Sequence, residues 1–207
     1  LLAKELSEMG CSVLGVDSNK AMAEKAKERG VEVLVADAQG LTLDEKFDAV
    51  VTVASVHCIK DHYAVVRRVW NLLRPGGRFV GECGGEGCLR IVREGIKIAL
   101  SKRGIDYKAR YPWKFPELGD FSRILENLGF RVKFIARVDC PTQLDGSLRD
   151  WLEVGASPFT EGLSPEEKES FYAEVEDYCR PMLCGKDGKW TIDHVRLRFA
   201  AVKPEEE

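Results

Sequence analysis

Apolar and polar positions alternate through the first half of the chain in two registers, one of strands and one of helices. Leu1 to Leu6 is helical text, and Cys11 to Val16 is a compact strand-like run that ends on Asp17. Ser18 is placed to cap a following helix through Lys27, which Gly30 closes. Val31 to Ala36 forms the next strand and ends on Asp37. Phe47 to Val53 is a third strand, whose nearly continuous apolar text predicts burial on both faces at the middle of a sheet. Val65, Val66, Val69, Trp70, Leu72 and Leu73 then recur at helical spacing until Arg74-Pro75-Gly76-Gly77 stops the helix. Arg78 to Cys83 is a fourth strand. Such alternation predicts an α/β fold, a Rossmann-like open, mostly parallel twisted sheet with flanking helices.

The second half changes period. Phe130, Val132, Phe134, Ala136 and Val138 alternate by two, as do Val195, Leu197, Phe199 and Ala201, which predicts a C-terminal antiparallel pair. Between them lies a helical insertion at about 140–190. It holds Leu148 to Val154 and a helix opened by Ser164-Pro165-Glu166-Glu167, where Ser164 caps, Pro165 takes the first helical position and Glu167 closes a capping box. The whole of 1–207 reads as one domain carrying this insertion.

Composition narrows the partners. A net charge of −3, with bases interleaved among acids, argues against a nucleic-acid footprint and favours a small molecule. Seven scattered cysteines without a CxxC pair suit reduced thiols in a cytoplasmic setting and give no zinc-ligand spacing. No apolar run approaches the roughly 20 residues of a bilayer span. Oligomeric state stays open.

Candidate chemistry gathers at strand ends, where the ligand crevice of an open parallel sheet forms. Asp17 is placed for the ribose hydroxyls of a nucleoside cofactor, or equally for capping the next helix. Asp37, with the Ala38 amide beside it, is placed for an adenine edge. The glycine-rich turn expected ahead of the first helix, and the strand leading to it, are missing before Leu1, so the chain reads as an N-terminally truncated fragment with half a cofactor site. A targeting peptide further upstream stays open.

With these elements in order, the chain resembles the class I S-adenosylmethionine-dependent methyltransferases. The motifs are Gly15-Val16-Asp17-Ser18, Ala36-Asp37-Ala38, Phe47-Asp48-Ala49-Val50-Val51 and Leu73-Arg74-Pro75-Gly76-Gly77-Arg78. Within them it is similar to the methyltransferase type 11, trans-aconitate methyltransferase-like group, through Ala54-Ser55-Val56-His57-Cys58, Gly81-Glu82-Cys83-Gly84-Gly85-Glu86-Gly87, Pro112-Trp113-Lys114-Phe115-Pro116 and Val195 to Pro204. The resemblance implies that Asp17 binds the ribose, that Ser18 and Met22 lie near the adenosyl group, that Asp37 and Ala38 hold adenine, and that Val53 and Ala54 border the cofactor. The family often carries a polar residue where Val53 stands. The resemblance also implies methyl transfer to a small acceptor, with a carboxylate as the candidate group, a reaction in which a base is optional.

His57, after the central strand, is the candidate for catalysis or substrate contact, with capping of the helix near Asp61 as the plainer alternative. Tyr111, Trp113 and Phe115 form either a lid over the acceptor or an aromatic anchor for their own loop. Arg149, Arg196 and Arg198 could receive a carboxylate or line a solvated face. Gly84 to Gly87 reads as a tight strand-to-helix turn, and His62 and His194 as structural. Two rival functions remain. An NAD(P)-dependent oxidoreductase would use the same strand-end acid, although the YxxxK pair of short-chain dehydrogenases is missing; a non-catalytic Rossmann-like relic or interaction module would keep only the sheet.

Overall fold

The computed structural model describes residues 2–205; Leu1 of the first helical run and Glu206-Glu207 of the acidic tail lie outside the described residues. The chain opens with α1 (Leu2–Glu8), β1 (Leu14–Asp17), α2 (Lys20–Glu28) and β2 (Glu32–Val35). The two strands pair in parallel, from Leu14 opposite Glu32 to Asp17 opposite Val35, and Ala23 of α2 closes on Val31 and Val33. The cap of α2 differs from the expectation. Asn19, not Ser18, accepts the N–H groups of Ala21 and Met22 at 3.0 and 3.2 Å. Asp17 binds the Asn19 N–H at 2.8 Å in a local turn, which delays the helix by one residue and hands the cap to the next polar side chain.

A second sheet follows. β3 (Phe47–Val53), α3 (His62–Leu72) and β4 (Leu73–Gly84) make a parallel crossover, and α6 (Leu118–Asn127) leads to β5 (Arg131–Asp139). The last strand, β8 (Val195–Val202), inserts between β4 and β5 and runs antiparallel to both, giving the order β3-β4-β8-β5. The period-two text of both strands is explained by this pairing. Val65, Val66 and Val69 of α3 and Phe121 and Leu125 of α6 bury one face of the sheet against Phe79, Cys83, Leu197 and Phe199. The opposite face corrects the expectation for β3. Val51 and Val53 are 43% and 53% exposed, because α3 and α6 cover only one side and β3 is the outer strand of its sheet. Among the described residues no strand pairing joins β3 to the β1-β2 sheet.

The third body is helical. α4 (Arg90–Ser101), α7 (Leu148–Gly155) and α8 (Pro165–Leu183) enclose Val92, Ile96, Leu152, Phe159, Phe171, Val175 and Cys179. Gly95 lets α4 approach α8 closely, since a Cβ there would stand 3.1 Å from Tyr178 and 3.3 Å from Val175. Both helices of the insertion open on reciprocal capping boxes, Ser147 with Asp150 and Ser164 with Glu167. Among the described residues no helix is long and apolar enough to cross a membrane.

Candidate functional site

The C-terminal ends of the parallel strands carry Asp17, Asp37, Ala54 and Gly84. Gln39 ties the end of β2 to α3. Its side-chain Nε2 donates to both Asp37 oxygens, at 3.2 and 3.1 Å, and its side-chain Oε1 accepts the Asp61 N–H at 3.2 Å. Asp61 in turn caps α3 through the Ala64 N–H, so it is Asp61, not His57, that starts that helix. Asp17 spends Oδ1 on the Asn19 N–H; among the described residues Oδ2 has no hydrogen-bond partner. Ser18 and Met22 are exposed beside it.

At the tip of β3 the backbone turns sharply. Ala54 adopts φ +56°, a left-handed conformation that costs a non-glycine residue roughly 1 kcal/mol, and its N–H is held by the Glu82 carbonyl at 2.8 Å. This turn opens a short 3-10 segment, Val56–Cys58, that projects His57 toward the end of β4. The Gly84 N–H donates to His57 Nδ1 at 3.2 Å, so the neutral imidazole carries its proton on Nε2. Its ring stacks on Phe115, 5.4 Å between centroids and 18° from parallel. Burial, aided by Arg196, His194 and His62, pushes the His57 pKa down to about 4. At neutral pH the side chain is therefore an uncharged Nε2–H donor.

The Tyr111–Phe115 loop is pinned at both ends. Lys60 reaches the Tyr111 carbonyl at 2.8 Å, Lys114 reaches back to the Lys60 carbonyl at 2.7 Å, and the Lys114 N–H meets the His57 carbonyl at 2.7 Å. Trp113 packs between Phe115 and Phe159, at 5.8 and 5.6 Å. Phe115 lies over Gly84, where a Cβ would stand 2.5 Å from its ring. The loop thus anchors itself on the helical body and covers His57 at the same time.

The arginines separate by their partners. Arg149 pairs with Glu153 and Glu169 and lies 4.5 Å over the Tyr172 ring, within the helical insertion. Arg198 binds Glu82 tightly, and Arg196 touches the other Glu82 oxygen at 3.8 Å. His194 shares its Nδ1 with Thr142 at 3.0 Å, and His62 is buried in the core beside Phe121. Arg93 on α4, which the reading of the sequence did not single out, packs against the Tyr111–Phe115 loop. It donates to the Tyr111 hydroxyl at 2.8 Å and lies 5.4 Å over Phe115. The available signal was a charged residue following Ile91 and Val92 on an amphipathic helix. Among the described residues no group of His, Cys, Asp and Glu is arranged to hold a metal.

Residues 1–81 match the model of the methyltransferase domain family. An uncharacterized methyltransferase of Schizosaccharomyces pombe is 33% identical over 218 residues, spanning 98% of this chain and 82% of its own length. The chain belongs to the class I S-adenosylmethionine-dependent methyltransferases. Solved methyltransferases share the fold. One from Bacillus halodurans superposes with a TM-score of 0.66 at 16% identity, over 98% of this chain and 87% of that one. The Haemonchus contortus phosphoethanolamine N-methyltransferase 2, solved with S-adenosylhomocysteine, gives 0.54 at 22% identity, over 98% and 46%.

The residues of this methyltransferase suit its cofactor. The open Asp17 oxygen at the end of β1 is an acceptor available to a diol, and Asp37 with the Ala38 amide offers an acceptor beside a donor, the pattern that complements an adenine edge. Gln39 would have to yield part of its hold on Asp37 for this contact.

Proposed function

We propose that this methyltransferase acts on a small-molecule acceptor, a carboxylate-bearing one as its similarity to the trans-aconitate-like group suggests. When bound, S-adenosylmethionine supplies an electrophilic methyl group, and attack by an acceptor oxygen breaks the carbon–sulfur bond and leaves neutral S-adenosylhomocysteine. The chain's own work is positioning. Asp17 holds the ribose, Ser18 and Met22 flank the adenosyl group, Asp37 and Ala38 take adenine, and Val53 and Ala54 border the cofactor at the tip of β3. His57, Tyr111 and Trp113 form the acceptor side. His57 supports the reaction as a hydrogen-bond donor through Nε2, since its Nδ1 is engaged and its low pKa makes it a poor base. A carboxylate acceptor has no proton to lose, so this role suffices.

The observation that carries the reading is the pair of acids, Asp17 and Asp37, at the ends of hydrogen-bonded parallel strands, with Asp37 joined through Gln39 to the start of α3. Equilibrium dialysis with methyl-labelled S-adenosylmethionine tests it. Asp17→Ala removes a charged acceptor, worth about 1.5–3 kcal/mol, and should weaken binding by roughly 10- to 100-fold. Equal affinity in the variant and the parent would reject the assignment.

A further inference from the structure

Among the described residues Arg93 is a cation with no carboxylate in direct ion-pair contact. Its Nε is buried and has no hydrogen-bond partner among them, and its Nη1 is used by the Tyr111 hydroxyl. Three other arginines near this end are matched by acids, Arg196 and Arg198 sharing Glu82 and Arg137 facing Glu86, whereas Arg110 donates to the Phe159 carbonyl. Asp193 feels the Arg93 charge without pairing with it: one oxygen accepts the Ile91 N–H at the start of α4, and Oδ1 is buried with no hydrogen-bond partner among the described residues. A guanidinium in partial burial is costly when unpaired, and its fork suits a carboxylate. It also sits on the same Phe115 ring that stacks against His57, the residue proposed to meet the acceptor.

We propose that Arg93 is the specificity-determining residue for the acceptor, receiving a carboxylate of the substrate under the Tyr111–Phe115 loop. The inference rests on the methyl-transfer reading above, with its carboxylate acceptor, and adds the residue that selects that acceptor. Loop and receptor are coupled through the Tyr111 hydroxyl, so a carboxylate on the guanidinium meets the Nε–H that the packing leaves without a partner. Where the acceptor carries two carboxylates, Arg93 holds one while an oxygen of the other forms a bond to the methyl carbon; the methyl carbon–sulfur bond breaks with its electron pair staying on sulfur, S-adenosylhomocysteine leaves, the acceptor becomes a methyl ester and no proton moves.

The test uses the protein with S-adenosylmethionine bound, titrated with succinate and with its uncharged analogue succinamide. Cofactor binding is measured first. Failure there defeats the methyltransfer reading itself and this proposal with it. With cofactor bound, succinate should bind the parent at least ten-fold more tightly than succinamide, and Arg93→Gln should erase that ratio while leaving cofactor affinity and the circular dichroism spectrum unchanged. Arg93→Lys, which keeps the charge and loses the fork, should restore part of it. The proposal is overturned if the parent shows no preference for the acid, if Arg196→Gln and not Arg93→Gln removes the preference, or if folded Arg93→Lys and Arg93→Gln both bind as the parent does. A lower stability of Arg93→Gln with an unchanged ratio overturns it too, by showing that Arg93 serves the Asp193 end of α4.

Discussion

Gly84→Ala perturbs the junction of the sheet, the aromatic loop and His57 with one methyl group. Gly84 has no positive φ, so the backbone itself accepts alanine, and the restriction of the unfolded chain favours it by about 0.4–1 kcal/mol. The space does not. The new Cβ would stand 2.5 and 2.8 Å from two Phe115 carbons and 3.4 Å from the Cys88 sulfur. Overpacking of this kind costs about 1–3 kcal/mol, so the net loss is about 1–2 kcal/mol, or a few degrees in Tm for a chain of this size. Displacement of Phe115 also unstacks His57 and moves Trp113, which gives a local reporter. Urea unfolding followed by tryptophan fluorescence should show a lower midpoint with an unchanged slope, and a shifted native emission. In the background of Phe115→Ala the same methyl group should cost almost nothing, since its obstacle is gone. Additive losses in the double variant would refute the assigned contact, and with it the idea that this loop holds His57 in place.

Other outcomes test the remaining links. His57 and His194 have folded pKa values of about 4 against an ordinary 6.5, so both are neutral when folded and the unfolded chain binds their protons first; stability should be constant above pH 6.5 and fall toward pH 4, by at most about 1.4 kcal/mol per pH unit for each. Partial solvation of His194 reduces its share, and His194→Gln should flatten the decline in a urea series across this range. Ser164→Ala breaks the capping box of α8 and should cost about 1 kcal/mol in unfolding measurements, without altering cofactor affinity. Leu152→Ala, which empties a fully buried position in the helical body, should cost about 2–5 kcal/mol in the same experiment.

Much of this architecture was legible because local signals and tertiary needs agree. The period-two runs of β5 and β8 pair as their text requires, and the capping box of Ser164 with Glu167 is written within four consecutive residues. Where the reading failed, a competing local bond or a missing neighbour decides. Asn19 took the cap from Ser18 because Asp17 engages its N–H. The apolar text of β3 reports a strand suited to burial on both faces, but what covers each face is a property of other segments, and Val51 and Val53 are left open. Within the site, Asp17 and Asp37 could be found from their place at strand ends. Arg93 could not, since its significance lies in the carboxylate it does not meet, and only the packed structure reveals that.

Methyl transfer to a small acceptor is the central claim, and it is tested most directly by following the label. The protein is incubated with methyl-labelled S-adenosylmethionine and a metabolite extract containing added protein and RNA, and the products are separated by size and charge. Label should appear in a small organic acid ester, released by mild base, with S-adenosylhomocysteine formed in equal amount. Label confined to protein or RNA, or S-adenosylmethionine left intact, would contradict the account.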